Sequence, residues 1–213
     1  FDQAWKLYGI AKPYLVRRLE KQGLMLLYMV NWPPQGIYTK KPLQSAADVK
    51  GTKFRTYSPS TSRLAELLGA IPTTVQVPEL PQAFRAGLVD MMITSASTGT
   101  STQAWDYLNF YYDTQAFLPM NLVFVNKAAF DKLDAATQKA VKEAAARAEE
   151  RGRKLATTEN DARRKELAEH GVKVLPPPPV FAQDMVRVGK TMADEWAGKA
   201  GADGQAILSG FRK

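Results

Sequence analysis

The sequence predicts an α/β fold, and three observations carry that prediction. Between Asp48 and Thr94, short β-like runs at 53–57, 73–77 and 88–93 are separated by short amphipathic helices at 60–68 and 79–86, which Gly69 and Gly87 end. The continuous apolar runs at 24–30 and 120–126 read as buried strands, the first as a parallel one. A helical pattern of Ala, Lys, Glu and Arg, capped by Asp134, then runs to about His170, well beyond an ordinary globular helix.

Each element has its own signal. Residues 1–22 carry Ala4, Trp5, Tyr8, Leu15, Val16 and Leu19 at helical spacing, with Pro13 as a break or kink and Gly23 as a stop. Residues 31–42, rich in Pro and Gly, read as a loop or irregular hairpin. Ser45 is placed to cap one helical turn ending at Asp48, and Ser58 or Ser60 to cap the helix that follows. Residues 94–103 read either as a flexible linker or as a ligand loop directly after a strand.

The aromatic run at 105–117 suits packing or a ligand cage. A coiled coil is the alternative for the long helix, but Val141, Ala145, Ala148, Leu155, Ala162 and Leu167 make a weak seam. Residues 172–175 read as a strand and 176–179 as a stiff connector. Residues 181–197 read as a helix with a core stripe of Met185, Val188, Met192 and Trp196.

Composition excludes several chemistries. Apolar content of 45% and charged content of 23% belong to an ordinary globular chain. The net charge of +8 lies largely on Lys and Arg mixed with Glu along helices, which is the pattern of a solvated face. No nucleic-acid motif accompanies it. There is no cysteine, hence no disulfide, thiolate or cysteine-ligated metal. The single histidine, His170, stands at a helix end, so no His-dependent triad or multi-histidine metal site is expected, and no cofactor. No apolar run reaches the length of a membrane span. The chain opens on Phe1 already inside a helical pattern, and is expected to be the later part of a longer protein.

The candidate site centres on Arg55, near the end of the strand that opens the 48–94 block. An α/β sheet binds ligands beyond the carboxyl ends of its strands. A guanidinium there can grip a carboxylate through two parallel hydrogen bonds. Gln35, Tyr57, Thr94 and Ser95 are candidates for the remaining oxygens, and Trp32 for the ligand's apolar part.

Asp48-Val-Lys-Gly-Thr-Lys-Phe-Arg55, Leu68-Gly-Ala-Ile-Pro72, Glu79, Gly87-Leu-Val-Asp90 and Asn126-Lys-Ala-Ala-Phe-Asp-Lys-Leu133, followed by the long Ala/Glu/Arg helix, resemble the DctP-type substrate-binding proteins of TRAP transporters. The resemblance runs from residue 1 to about residue 200. It implies a periplasmic-binding-protein-like (type II) fold of two domains, with strands that cross between them and a long interdomain helix. On that scheme 1–30 is a domain I remnant, 31–118 the ligand-binding lobe and 119–133 a crossing strand with part of domain I. Residues 134–170 form the connecting helix, and 171–213 a C-terminal segment packing on both lobes.

The resemblance implies a periplasmic protein, exported by a signal peptide in a part preceding this sequence. It would capture a small organic acid and deliver it to the membrane subunits of a TRAP transporter, with no nucleic acid and no membrane insertion of its own. Arg55 matches the family's carboxylate-gripping arginine. The position of a second arginine in some members falls at about Gln35, that of an aromatic wall at about Val77, and that of an asparagine in the sialic-acid branch at Thr94. The loss of the second arginine and the aromatic wall argues against sialic acid and fits a smaller monocarboxylate, such as a hydroxy or keto acid. Two other functions remain: the effector-binding domain of a transcription regulator, and an enzyme on a related scaffold. No pair of Asp, Glu, Lys, Tyr or Ser stands at a convincing catalytic spacing.

Overall fold

The structure, a computed structural model, describes residues 1–213. The chain forms two compact units and passes between them repeatedly. One unit comprises Phe1–Trp32, Leu118–Thr158 and Trp196–Lys213; the other comprises Pro33–Phe117 and Glu159–Glu195.

The first unit holds helix α1 (Asp2–Glu20) and a two-stranded antiparallel sheet of β1 (Leu24–Asn31) and β7 (Met120–Asn126). It also holds α5 (Lys127–Asp131), the first part of α6 (Ala135–Glu169) and the last part of α7 (Pro179–Arg212). Pro13 lies inside α1, which continues through it. Glu149 of α6 ties this unit together: its carboxylate accepts from the Met29 N–H at 2.9 Å and from the Tyr8 hydroxyl at 3.4 Å. The sequence suggested a buried parallel strand at 24–30 and a buried one at 120–126. Both are instead largely half-buried and pair antiparallel with each other, and Phe124 is exposed. Apolar residues on both sides of a strand do not by themselves distinguish these cases.

The second unit is built on a six-stranded mixed sheet in the order β4-β3-β5-β2-β6-β8. The strands are β2 (Gln35–Thr39), β3 (Lys53–Thr56), β4 (Ile71–Thr74), β5 (Met91–Ser95), β6 (Phe110–Tyr112) and β8 (Lys173–Leu175). β3 runs parallel to β4 and β5, β6 parallel to β8, and β2 antiparallel to both its neighbours. Because side chains alternate, one face presents Phe54, Met91, Ile37, Ile93 and Tyr112, packed with Leu64 and Leu68 at α2 (Pro59–Leu67) and with Phe181 and Val188 of α7. The other presents Met92, Tyr38 and Tyr111, packed with Leu80 and Phe84 of α3 (Leu80–Arg85), Ala96 of α4 (Ala96–Ser101) and Leu167 of α6. The unit is therefore an α/β/α sandwich.

Several sequence expectations are corrected here. Residues 31–42 are not a loop: they contain β2, fully buried in the middle of the sheet. Gly36 disguises it, since the Tyr111 ring occupies the space its side chain would fill; a Cβ there would lie 2.3 Å from that ring. The strand expected at 73–77 is β4, ending at Thr74, and Val77 lies in a short 3-10 turn. The strand expected at 88–93 is β5, displaced to Met91–Ser95.

Residues 96–101 form a helix of weak helix formers, capped by Ser95, whose Oγ accepts from the Thr98 N–H at 3.1 Å. The final helix continues to Arg212 through Gly201, whose φ of 66° and ψ of −147° interrupt it. Its buried stripe is led by Phe181, fully enclosed, while Trp196 is exposed.

The capping expectations fare better. Ser58 caps α2, Asp134 accepts from the Thr137 N–H at 2.9 Å at the start of α6, and Ser45 opens a 3-10 turn at Ala46–Asp48. That turn gains a partner from α7: the Ala46 N–H donates to the buried Asp184 carboxylate at 2.8 Å. Asp184→Ala leaves this donor unsatisfied, at a cost of about 1–3 kcal/mol. The variant should melt several degrees lower, at about 2–4 °C per kcal/mol for a chain of this size. An unchanged melting curve would show that the contact adds nothing.

Candidate functional site

β3 lies between β4 and β5 with all three parallel, so their carboxyl ends form one edge. Arg55, the penultimate residue of β3, rises from this edge and is only 1% exposed. Its Nε donates to the Val75 carbonyl at 2.9 Å, just beyond the end of β4. Nη1 and Nη2 are buried and have no partner in the protein. The guanidinium carbon sits 4.9 Å from the centre of the Tyr57 ring. Burial lowers the Arg55 pKa, with Tyr57 and Tyr107 opposing it. Its ordinary value is so high that the group stays charged.

Tyr57 and Gln35 are brought to the same place but hold one another. The Tyr57 hydroxyl donates to Gln35 Oε1 at 2.8 Å, and Gln35 Nε2 donates to the Pro33 carbonyl at 3.0 Å. Burial pushes the Tyr57 phenol up to about 12, with Arg55 pulling the other way. Across β2 and β5, Gln35 pairs with Ser95 and Gly36 with Thr94, so both β5 candidates stand at this edge. Ser95 uses its hydroxyl to cap α4, and its carbonyl accepts from Tyr38 at 3.1 Å.

Val77 is 40% exposed, two residues past the carbonyl that anchors Arg55. Trp32 follows β1 and belongs to the first unit, the other candidates to the second; its N–H donates to the Pro119 carbonyl at 2.7 Å. Sequence reasoning missed Tyr107, which is stacked on Phe84 and acts electrostatically on Arg55. It also missed the Val75 carbonyl, a backbone group with no side-chain signal.

A cavity of about 420 Å³ opens at the opposite end of β2, lined by Thr39, Lys41, Leu43, Asp48, Asp90 and Met91 among others. It is less suited to a ligand than the Arg55 edge. Asp48 is committed to the Gln44 and Ser45 N–H groups and Asp90 to that of Lys53. No group of three or more metal-ligating side chains gathers in the chain, and no helix is long and apolar enough to cross a membrane.

The raised Tyr57 pKa gives a signed expectation. A phenol that holds its proton to about pH 12 when folded, against 10 when unfolded, contributes stability that is complete below pH 10. That contribution is lost as the pH rises from 10 to about 12. Denaturant midpoints of Tyr57→Phe should fall less steeply across this window than those of the parent chain. Equal slopes would assign the alkaline loss to other groups.

Known proteins share this fold. A family model described as DctP, bacterial extracellular solute-binding protein, family 7, matches residues 4–199. DctP7 of Bordetella pertussis, an extracytoplasmic solute receptor binding pyroglutamic acid, is 50% identical over 100% of this chain and 70% of its own, with a TM-score of 0.95. DctP6 of the same organism, also binding pyroglutamic acid, is 48% identical over 99% of this chain and 70% of its own, at 0.95. A marine-metagenome TRAP solute-binding protein specific for pyroglutamate is 33% identical over 99% of this chain and 69% of its own, at 0.93. The chain accordingly belongs to family 7 of the bacterial extracellular solute-binding proteins, as an extracytoplasmic receptor of the TRAP type and not an enzyme.

Proposed function

We propose that this receptor captures a small monocarboxylate on Arg55 and passes it to the membrane subunits of a TRAP transporter. One observation carries the reading: Nη1 and Nη2 of a fully buried guanidinium have no partner in the protein. An ion stripped of water costs several kcal/mol unless it is paired. A carboxylate is the natural partner, since its two oxygens match two parallel N–H donors. Because Nε is held by Val75, the carboxylate meets the guanidinium end-on, through Nη1 and Nη2. Tyr57 and Gln35 then serve to position Arg55 rather than to touch the ligand, and Thr94 lines the edge beside them. Ser95, Val77 and Trp32 are secondary candidates in the same reading.

Pyroglutamate is the preferred ligand, because the relatives at 50%, 48% and 33% identity bind it. It is a monocarboxylate with a neutral ring, which narrows the hydroxy or keto acid expected from the sequence. The finer architecture belongs to the same proposal. Residues 1–30 and 119–133 would be domain I, 31–118 domain II, 134–170 the connecting helix and 171–213 a C-terminal segment serving both, in the type II manner. The support is the connectivity: the chain changes unit after Trp32, Phe117, Thr158 and Glu195, the last two within α6 and α7.

Arg55→Lys keeps the charge and loses the fork. Calorimetric titration with pyroglutamate should register a loss of about 2–4 kcal/mol. Undiminished affinity in this variant would move the carboxylate site away from Arg55.

A further inference from the structure

The chain's whole net charge stands on one of its two units. The first unit holds sixteen Lys and Arg against eight Asp and Glu, the second thirteen against thirteen. Within the first unit the surplus belongs to three helical segments. Residues 2–21, which are α1 and its C-cap, have five basic residues against two acidic. Residues 135–158 of α6 have six against three, and residues 196–213 at the end of α7 three against one. The remainder of the unit, with β1, β7 and α5, carries no net charge. The three helices touch. Arg153 of α6 lies over the Trp5 ring of α1, 4.0 Å from its centre, and the Lys6 ammonium of α1 donates to the Phe211 carbonyl of α7 at 3.2 Å.

Aromatic rings, more than carboxylates, hold the cations of α1. Lys12 lies 5.3 Å from the centre of the Tyr8 ring and Arg17 4.6 Å from that of Tyr14, while the carboxylate nearest Arg17, Asp203, is 3.9 Å away. A ring orients a cation and leaves its charge in place. Glu149 is spent on the Met29 N–H and the Tyr8 hydroxyl. On α6, Glu143 and Glu150 pair with Lys139 and Lys154, and Arg147 and Arg151 are exposed without an ion pair. Arg147, Arg151 and the exposed Leu155 follow one another at four-residue spacing, on one side of the helix. Leu7, next to Lys6 on α1, is exposed as well.

We propose that the helical surface of the first unit adsorbs to an anionic phospholipid bilayer. Charge spread over three helices suits a continuous layer of phosphate headgroups, where every cation finds a partner without a fixed register. An acidic protein face would have to match those positions one by one. Exposed leucines beside the cations can enter the headgroup region. No helix is long and apolar enough to cross a membrane, so the attachment is peripheral and reversible. Adsorption confines the receptor's search for its membrane subunits to a plane. The neutral second unit takes no part in it.

Co-sedimentation of the full chain with vesicles tests this. At low salt the chain should prefer vesicles containing phosphatidylglycerol to vesicles of phosphatidylcholine alone by roughly 10-fold or more. It should be released at about 1 M salt, where screening acts within about 3 Å. The double variant Arg147→Glu/Arg151→Glu should weaken the binding roughly 10-fold or more. Lys50→Glu/Lys190→Glu on the second unit changes the net charge equally and should leave it almost unchanged. Thermal melts identify a variant that has lost its fold, and the milder Arg147→Gln/Arg151→Gln then decides. Equal weakening by both charge reversals reduces the effect to net charge and overturns the assignment to this surface. No preference for phosphatidylglycerol overturns the proposal outright, and binding of polyglutamate without binding of vesicles hands the surface to an acidic protein. None of these variants alters Arg55, so the carboxylate reading stands or falls separately.

Discussion

The unit that carries the site is organised around a guanidinium it does not fully satisfy. Arg55 is enclosed by the sheet and by the helices on its face, keeps a single hydrogen bond at Nε and leaves two nitrogens buried without partners. This arrangement costs free energy in the resting chain. It persists because the sandwich around it is well packed, with Phe54 before Arg55 on β3 and Met92 beside it on β5 both fully buried. A ligand that supplies two carboxylate oxygens removes that cost on binding. The affinity then comes as much from relief of the empty state as from new contacts.

What aims the guanidinium is equally specific. The Val75 carbonyl holds Nε from the β4 side, and the Tyr57 ring lies against the charged group. The Tyr57 hydroxyl is fixed through Gln35 to the Pro33 carbonyl, at the point where the chain enters this unit. Side-chain entropy lost on binding is smaller when the group is already held. Two glycines make room for the rest of the edge. Gly36 admits the Tyr111 ring, and Gly99 of α4 admits the Tyr38 hydroxyl, which a Cβ would approach to 2.0 Å. The two rings in turn sit 4.6 Å apart.

Much of this was legible in the sequence where local chemistry decides it. Ser45, Ser58 and Asp134 were readable as caps because capping depends on residues within one turn. Arg55 was readable as a candidate because it stands near the end of the strand that opens the 48–94 block. β2 and α4 were not readable. One is a central strand with a glycine in it, and the other a helix of Ser, Thr and Gly; both are held by tyrosines distant in sequence. The same limit hid the roles of Gln35 and Ser95. Their side chains suggest ligand contacts, and only the fold reveals that one is engaged by Tyr57 and the other by the first turn of α4.

The net charge of +8 and the single buried cation work on different scales. On α6, Lys139, Lys154, Arg163 and Lys165 pair with glutamates three or four residues away. Such exposed pairs contribute little and are screened within about 10 Å at ordinary ionic strength. Each pair is neutral as a unit and chooses no anion. Selection requires a charge removed from water, where screening is weak and geometry matters, and Arg55 is the arginine among the fully buried side chains. On the proposed reading of Arg55 as the ligand's anchor, one such charge is matched to one carboxylate.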